Sequence, residues 1–408
     1  MKSVALHNLG CKVNAYEMDF MQQMLQEKGY KIVPFDEAAD IYIVNTCTVT
    51  NIADRKSRQM LHRAKKRNPD AVVVAVGCYV QTGQETLEKD GTVDLAIGNN
   101  RKKDLAEILA AYLESRGGSE EETYRAGAAA EGTPETANAD RQEEAEGIQG
   151  TAARYGLVID RIDIDRAPYE EITLKRAAEH TRAYIKIQDG CNQFCSYCII
   201  PYARGRIRSR LEADILKEAK GMAEAGCREI VLTGIHISSY GADRGGSELG
   251  RLLEKLSEVD GIERIRLGSL EPGIVTEEFA AHISALPKVC PHFHLSLQSG
   301  SDTVLRRMNR RYDTAGYLEA VERLRGHYRN PAITTDVIVG FPGETEEEFV
   351  QTESFLRRVG FYEMHIFKYS RRQGTRAAAM EGQLTEAEKA ARSELLMKLE
   401  QALTRAYR

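Results

Sequence analysis

The stretch GCNQFCSYCIIP, Gly190 to Pro201, sets Cys191, Cys195 and Cys198 within eight positions. Thiolates are soft donors that suit zinc and iron–sulfur clusters. A structural zinc site takes four protein ligands, yet no fourth cysteine lies close by. Two assignments stay open. Three thiolates can hold three irons of a cubic [4Fe–4S] cluster and leave the fourth iron to a small molecule. Alternatively, zinc takes the three thiolates with His180 or His236 as fourth ligand.

Cys11, Cys47 and Cys78 lie far apart, but each ends an apolar run: HNLGC, VNTC and VAVGC. In a parallel sheet such ends share one edge, where ligands bind. Three thiols there can converge on a second cluster, again with one iron open. The alternative is three buried structural cysteines. Gly10 and Gly77 precede two of them and allow close backbone approach. Cys227 and Cys290 fit neither pattern and read as structural. Eight cysteines with no signal-peptide pattern at the N-terminus favour metal ligands or catalytic thiols over disulfides.

These residues need elements to position them. Residues 1–114 alternate short Val/Ile-rich runs with helical patterns, as in SVALHNLG before EMDFMQQMLQEKGY. That alternation implies an open parallel α/β sheet. Residues 115–154 are acidic and rich in Gly, Ala, Glu and Thr, which predicts a flexible linker. A second domain is expected over 155–383. Its strand candidates are 183–188, 229–235, 264–270, 292–298, 333–339 and 362–368, with helical segments between them. Six βα units predict a partial (β/α)6 barrel, with chemistry at the C-terminal strand ends. Residues 384–408 read as one helix, opened by a capping box of Thr385 and Glu388.

The formal net charge is −5. Residues 116–150 hold nine acidic and three basic residues, a net of −6, so the remainder carries about +1. Basic clusters then stand out at Arg55–Arg67, Ala203–Arg210, Leu305–Arg311 and Ser370–Arg376, an RNA-facing pattern. No apolar run approaches membrane-spanning length, and a cytoplasmic chain is expected. No motif for nucleophilic or acid–base catalysis is present.

The spacing C-x3-C-x2-C after a first barrel strand resembles the radical S-adenosylmethionine enzymes. Two three-cysteine sites, on an α/β domain and a partial barrel, resemble the methylthiotransferases over 1–114 and about 180–405. LGCKVNAYE, NTCTVTNIADRKSRQ, GCYVQ and GCNQFCSYCIIPYARGRIRSR are most similar to the branch acting on N6-threonylcarbamoyladenosine in tRNA. The isopentenyladenosine branch and the branch acting on a ribosomal-protein aspartate are the alternatives. The resemblance implies two [4Fe–4S] clusters, held by Cys191, Cys195, Cys198 and by Cys11, Cys47, Cys78, with S-adenosylmethionine as cosubstrate. It implies Thr233 and Gly234 near the methionine amino group, Ser296 and Gln298 near ribose or carboxylate, and Ile338 and Gly340 near adenine. It also implies an external low-potential electron donor and tRNA as partners, no membrane, and a monomer. Arg204, Arg206, Arg208 and Arg210 are the expected contacts to the tRNA backbone. The family's β-rich C-terminal TRAM domain is expected to be absent. A two-cluster electron carrier and a zinc-stabilised RNA-binding protein are the rival classes.

Overall fold

The computed structural model describes residues 1–125, 167–175 and 182–408. The chain forms two compact units. In the first, five parallel strands are ordered β2-β1-β3-β4-β5. They are β1 Ser3–Asn8, β2 Lys31–Val33, β3 Ile41–Thr46, β4 Val72–Gly77 and β5 Leu95–Ile97. Every residue of β3 and β4 is buried, as parallel strands covered on both faces require. Alternate residues serve opposite faces. Tyr42, Val44, Val73 and Ala75 pack with Leu61 and Ala64 of helix Asn51–Arg67. Ile41, Ile43, Val72 and Val74 pack with Met21 and Leu25 of helix Lys12–Glu27 and Leu105 of helix Leu105–Arg125.

The last of these helices runs to Arg125, past the expected start of the linker at 115. The remainder of the expected linker, 126–154, lies outside the described residues.

The second unit contains all six expected strands. They are β6 Ala183–Lys186, then β9 Glu229–Thr233, β10 Arg264–Leu267, β11 His292–His294, β12 Ala332–Val339 and β13 Glu363–Lys368. A two-residue antiparallel ladder, β7 Gln188–Asp189 with β8 Arg208–Ser209, follows β6. The long strands form two parallel ladders, β6-β9-β10 and β11-β12-β13. A parallel bridge between Leu270 and Leu295 joins them, giving a six-stranded arc in chain order. The helix after β12, Glu346–Val359, opens with a capping box of Thr345 and Glu348. The final helix, Glu386–Tyr407, has the expected box of Thr385 and Glu388, and its Thr404 hydroxyl donates to the Tyr362 carbonyl at 2.6 Å. Among the described residues, no helix is long and apolar enough to cross a membrane.

Candidate active site at the strand ends

The three-cysteine loop is tied at its base by the β7–β8 ladder. Gly190 enters it at φ +72°, and a Cβ there would stand 1.8 Å from the Arg206 carbonyl oxygen. Only glycine lets the two backbones cross. The Cys191 amide donates to the Gly205 carbonyl at 3.0 Å. Gln188 donates to the Gly190 carbonyl at 2.6 Å and accepts from the His236 amide at 2.7 Å, which ties this loop to the segment after β9. Ser196 receives backbone support from Met308 and gives it to Ala377. Asn309, at φ +60°, donates to the Phe194 carbonyl at 3.0 Å.

One cavity is lined by Cys191, Cys195, Cys198, Glu271, Ser296 and Arg310, among others. Arg310 donates to Cys195 Sγ at 3.1 Å, pairs with Glu271 at 2.9 Å, and reaches the Tyr312 hydroxyl at 2.9 Å. Glu271 also faces His236 Nε2 at 3.1 Å and accepts from the Gln193 amide at 2.8 Å. Burial works against the Glu271 charge, but the His236 hydrogen bond and the Arg310 and Arg311 charges prevail and hold its carboxyl below the usual range. The wall thus offers a carboxylate and a guanidinium side by side. Gln298 lines the same cavity at φ +76°, a strained conformation for a residue with a Cβ.

The cysteines fit a cluster better than a single ion. Two thiolates on one zinc, at about 2.3 Å each, lie at most about 4.6 Å apart. Among the described residues, His294, Asp336 and His365 form the one group of three donor atoms within 4.8 Å of each other; Cys191, Cys195 and Cys198 do not. His236 is turned to Glu271 and, through Nδ1, to Ser239. His180, the other zinc candidate, lies outside the described residues. Burial pushes the Cys191 thiol up to about 11 and the Cys198 thiol up to about 12. Such thiols become ligands only when the bound group supplies positive charge, which iron and zinc both do.

The other trio follows three strands of the first sheet in the sequence. Cys11 lies shortly after β1, and Cys47 and Cys78 directly follow β3 and β4, strands adjacent in the sheet. Cys11 is exposed, while Cys47 and Cys78 are buried. Gly77 has φ +97°, and a Cβ there would meet Asn45 Oδ1 at 2.6 Å. Asn99 donates to Cys78 Sγ at 3.5 Å and is itself oriented by Lys102 at 2.6 Å. Cys227 and Cys290 are buried elsewhere.

Ser296 and Gln298 line the cavity; Thr233, Gly234, Ile338 and Gly340 are not among its lining residues. The Thr233 carbonyl accepts from the Ile187 amide. A Cβ on Gly234 would press on Gln188 Oε1 at 2.9 Å, and one on Gly340 would meet Lys389 Cγ at 2.3 Å. Ile338 packs beside Val304, Phe341 and Tyr369. Residue type did not single out Glu271, Arg310 and Gln193, and it offered His236 only as a zinc ligand; Arg310 is one of four arginines in the basic run LRRMNRR.

Three of the four arginines expected at the tRNA backbone are corrected by burial. Arg204 and Arg210 are fully buried and Arg208 nearly so. Arg204 reaches Asp189 at 3.1 Å and Arg208 donates to the Arg204 carbonyl at 2.7 Å. Arg210 pairs with buried Glu218 and donates to the Thr173 hydroxyl at 2.8 Å. These guanidiniums hold the loop and its flanking helix, and they are closed to phosphate. Arg206 is partly exposed, stacked on Phe194 at 4.6 Å.

Comparison with known proteins follows the same two-part division. The Radical SAM superfamily matches residues 185–356, and Uncharacterized protein family UPF0004 matches residues 3–98. Threonylcarbamoyladenosine tRNA methylthiotransferase MtaB of Bacillus subtilis is 38% identical over 408 residues, covering 100% of this chain and 82% of that protein. A tRNA-2-methylthio-N(6)-dimethylallyladenosine synthase of Thermoanaerobacter pseudethanolicus is 34% identical, covering 98% of this chain and 78% of that protein. Among solved structures, the radical S-adenosylmethionine methyltransferase TsrM of Kitasatospora setae shares the fold, with TM-score 0.59 and 15% identity over 90% of this chain and 72% of that one. With relatives of this similarity spanning both of its halves, the chain belongs to the radical SAM tRNA methylthiotransferase family.

Proposed function

We propose that this enzyme methylthiolates C2 of N6-threonylcarbamoyladenosine beside the tRNA anticodon. The observation that carries the reading is the 38% identity to MtaB along the entire chain. Cys191, Cys195 and Cys198 would hold one [4Fe–4S] cluster, and Cys11, Cys47 and Cys78 the second. When bound, the first cluster together with S-adenosylmethionine supplies a radical able to take an unactivated hydrogen, and the second bears on sulfur insertion. The protein binds, orients and shields. A zwitterionic amino acid needs both signs of charge at one wall. Glu271 suits its ammonium group and Arg310 its carboxylate, while Ser296 and Gln298 face the rest of the cosubstrate. The target adenine leaves its stack to reach the strand ends. An external low-potential donor supplies electrons, and the enzyme acts as a monomer in the cytoplasm.

Bulk tRNA from cells with and without the gene is digested and its nucleosides weighed by mass spectrometry. Threonylcarbamoyladenosine carrying one extra methylthio group only when the gene is present supports the reading. A gene-dependent methylthio group on dimethylallyladenosine would transfer the enzyme to the other tRNA branch.

A further inference from the structure

We propose a metal site separate from both cysteine trios, formed by His294, Asp336 and His365 and suited to a divalent first-row cation of the zinc type. These residues stand on three adjacent parallel strands, β11, β12 and β13. Register pairs Asp336 directly with His365, and His294 with Thr334, two positions before Asp336. One imidazole nitrogen from each histidine and one carboxylate oxygen lie within 4.8 Å of one another.

Three details go beyond proximity. His294 Nδ1 is hydrogen-bonded to the Thr334 hydroxyl at 3.0 Å. An outer partner of this kind orients the ring of a metal-binding imidazole. Its Nε2 is shielded from solvent with no hydrogen-bond partner, although Asp336 Oδ2 lies 3.4 Å away. A buried ring nitrogen left so is costly and is satisfied by an ion between it and the carboxylate. The His365 ring lies 5.9 Å from that of His294 at 23°. Two donors on one zinc, at about 2.0–2.1 Å each, are at most about 4.2 Å apart. His294 and Asp336 already meet that limit, and exposed His365 has room to close the remainder.

Two histidines and one carboxylate leave coordination positions open, the arrangement of sites that bind a further oxygen ligand. Ser296, two residues after His294, lines the cavity described above, so the cation would sit near the chamber assigned to the cosubstrate. That relation to the cosubstrate rests on the proposed function; the binding of the cation does not.

The test uses anaerobically prepared holoenzyme with both clusters loaded, so that six cysteines are already occupied. Zinc sulfate is the probe, read by equilibrium dialysis and elemental analysis, beside His365→Ala and Asp336→Asn. Iron, labile sulfide and the visible spectrum report the clusters. The expected result is one saturable zinc per chain in the wild type, weakened at least tenfold in both variants, with cluster content unchanged. His365 is exposed, so its variant keeps the fold. Absence of saturable zinc in the wild type, or zinc binding in either variant as tight as in the wild type, overturns the proposal. Neither outcome bears on which nucleoside is modified.

Discussion

Glu271 and Arg310 show how one pair can serve two neighbours. The guanidinium touches Cys195 Sγ and the carboxylate together, so its charge is anchored before any ligand arrives. A hydrogen bond to a charged group is worth about 1.5–3 kcal/mol, or about 10- to 100-fold in affinity. Glu271→Gln is therefore expected to weaken S-adenosylmethionine binding by that factor in equilibrium dialysis, with iron content unchanged. Unaltered affinity would remove Glu271 from the site. The cysteine trios should separate by activity. Cys195→Ala is expected to abolish S-adenosylmethionine cleavage, whereas Cys47→Ala spares cleavage and loses methylthiolation. Chromatography of 5′-deoxyadenosine and mass spectrometry of the nucleoside read the two steps independently. Loss of methylthiolation alone in both variants would refute the division of labour.

At the scale of elements, helix Glu346–Val359 is fastened by its first turn. Glu348 closes the capping box and accepts from Arg307 at 2.6 Å. The Arg307 hydrogen bond first, then Thr303 and the Thr345 backbone, outweigh partial burial and hold its carboxyl at about 2, below the ordinary 4.5. A carboxyl lowered on folding stabilises above its unfolded value, and that stability is lost as pH falls through the folded value. Glu348→Gln should therefore lower the urea midpoint fully above about pH 5, with the gap to wild type narrowing toward pH 2. A gap independent of pH would mean that packing, not charge, carries the effect.

Strands β9 and β12 were legible as Val/Ile-rich runs, whereas β10, β11 and β13 carry apolar residues interleaved with polar ones. The cysteines at strand ends were legible because they close apolar runs. ARGRIRSR was not, since a charged residue looks alike in sequence whether it faces water or a buried carboxylate. Arg204 and Arg210 meet Asp189 and Glu218, partners that only the tertiary fold supplies. The two-residue ladder β7–β8 was equally hidden, being too short to leave a periodic signature. Glu271 and Arg310 lie far apart in sequence and converge only because β10 and β11 are joined through Leu270 and Leu295.

Across the whole molecule, the cations available to a polyanion are those left in water. Arg306 and Arg311 are exposed, and Arg311 reaches back to the Asn192 carbonyl at 3.5 Å, beside the cysteine loop. Each phosphate contact contributes about 0.7–0.9 to the slope of log affinity against log salt. The double variant Arg306→Ala/Arg311→Ala should reduce that slope for tRNA by about 1–2, while S-adenosylmethionine affinity stays within error. An unchanged slope would shift RNA contact to the helix bearing Arg55, Lys56 and Lys66.

The cysteine loop is shaped by protein bonds: the Gly190 crossing, the β7–β8 ladder, and the ties from Gln188, Asn309 and Met308. These bonds predict an outline that survives loss of iron. Oxygen destroys exposed iron–sulfur chemistry, and a scaffold that collapsed with it would make each accident fatal to the molecule. On this prediction the damage stays confined to the cargo. After chelation the thermal midpoint should fall by only a few degrees, and anaerobic iron and sulfide should restore the original spectrum without refolding. With that outcome, the loop would allow repair in place rather than replacement.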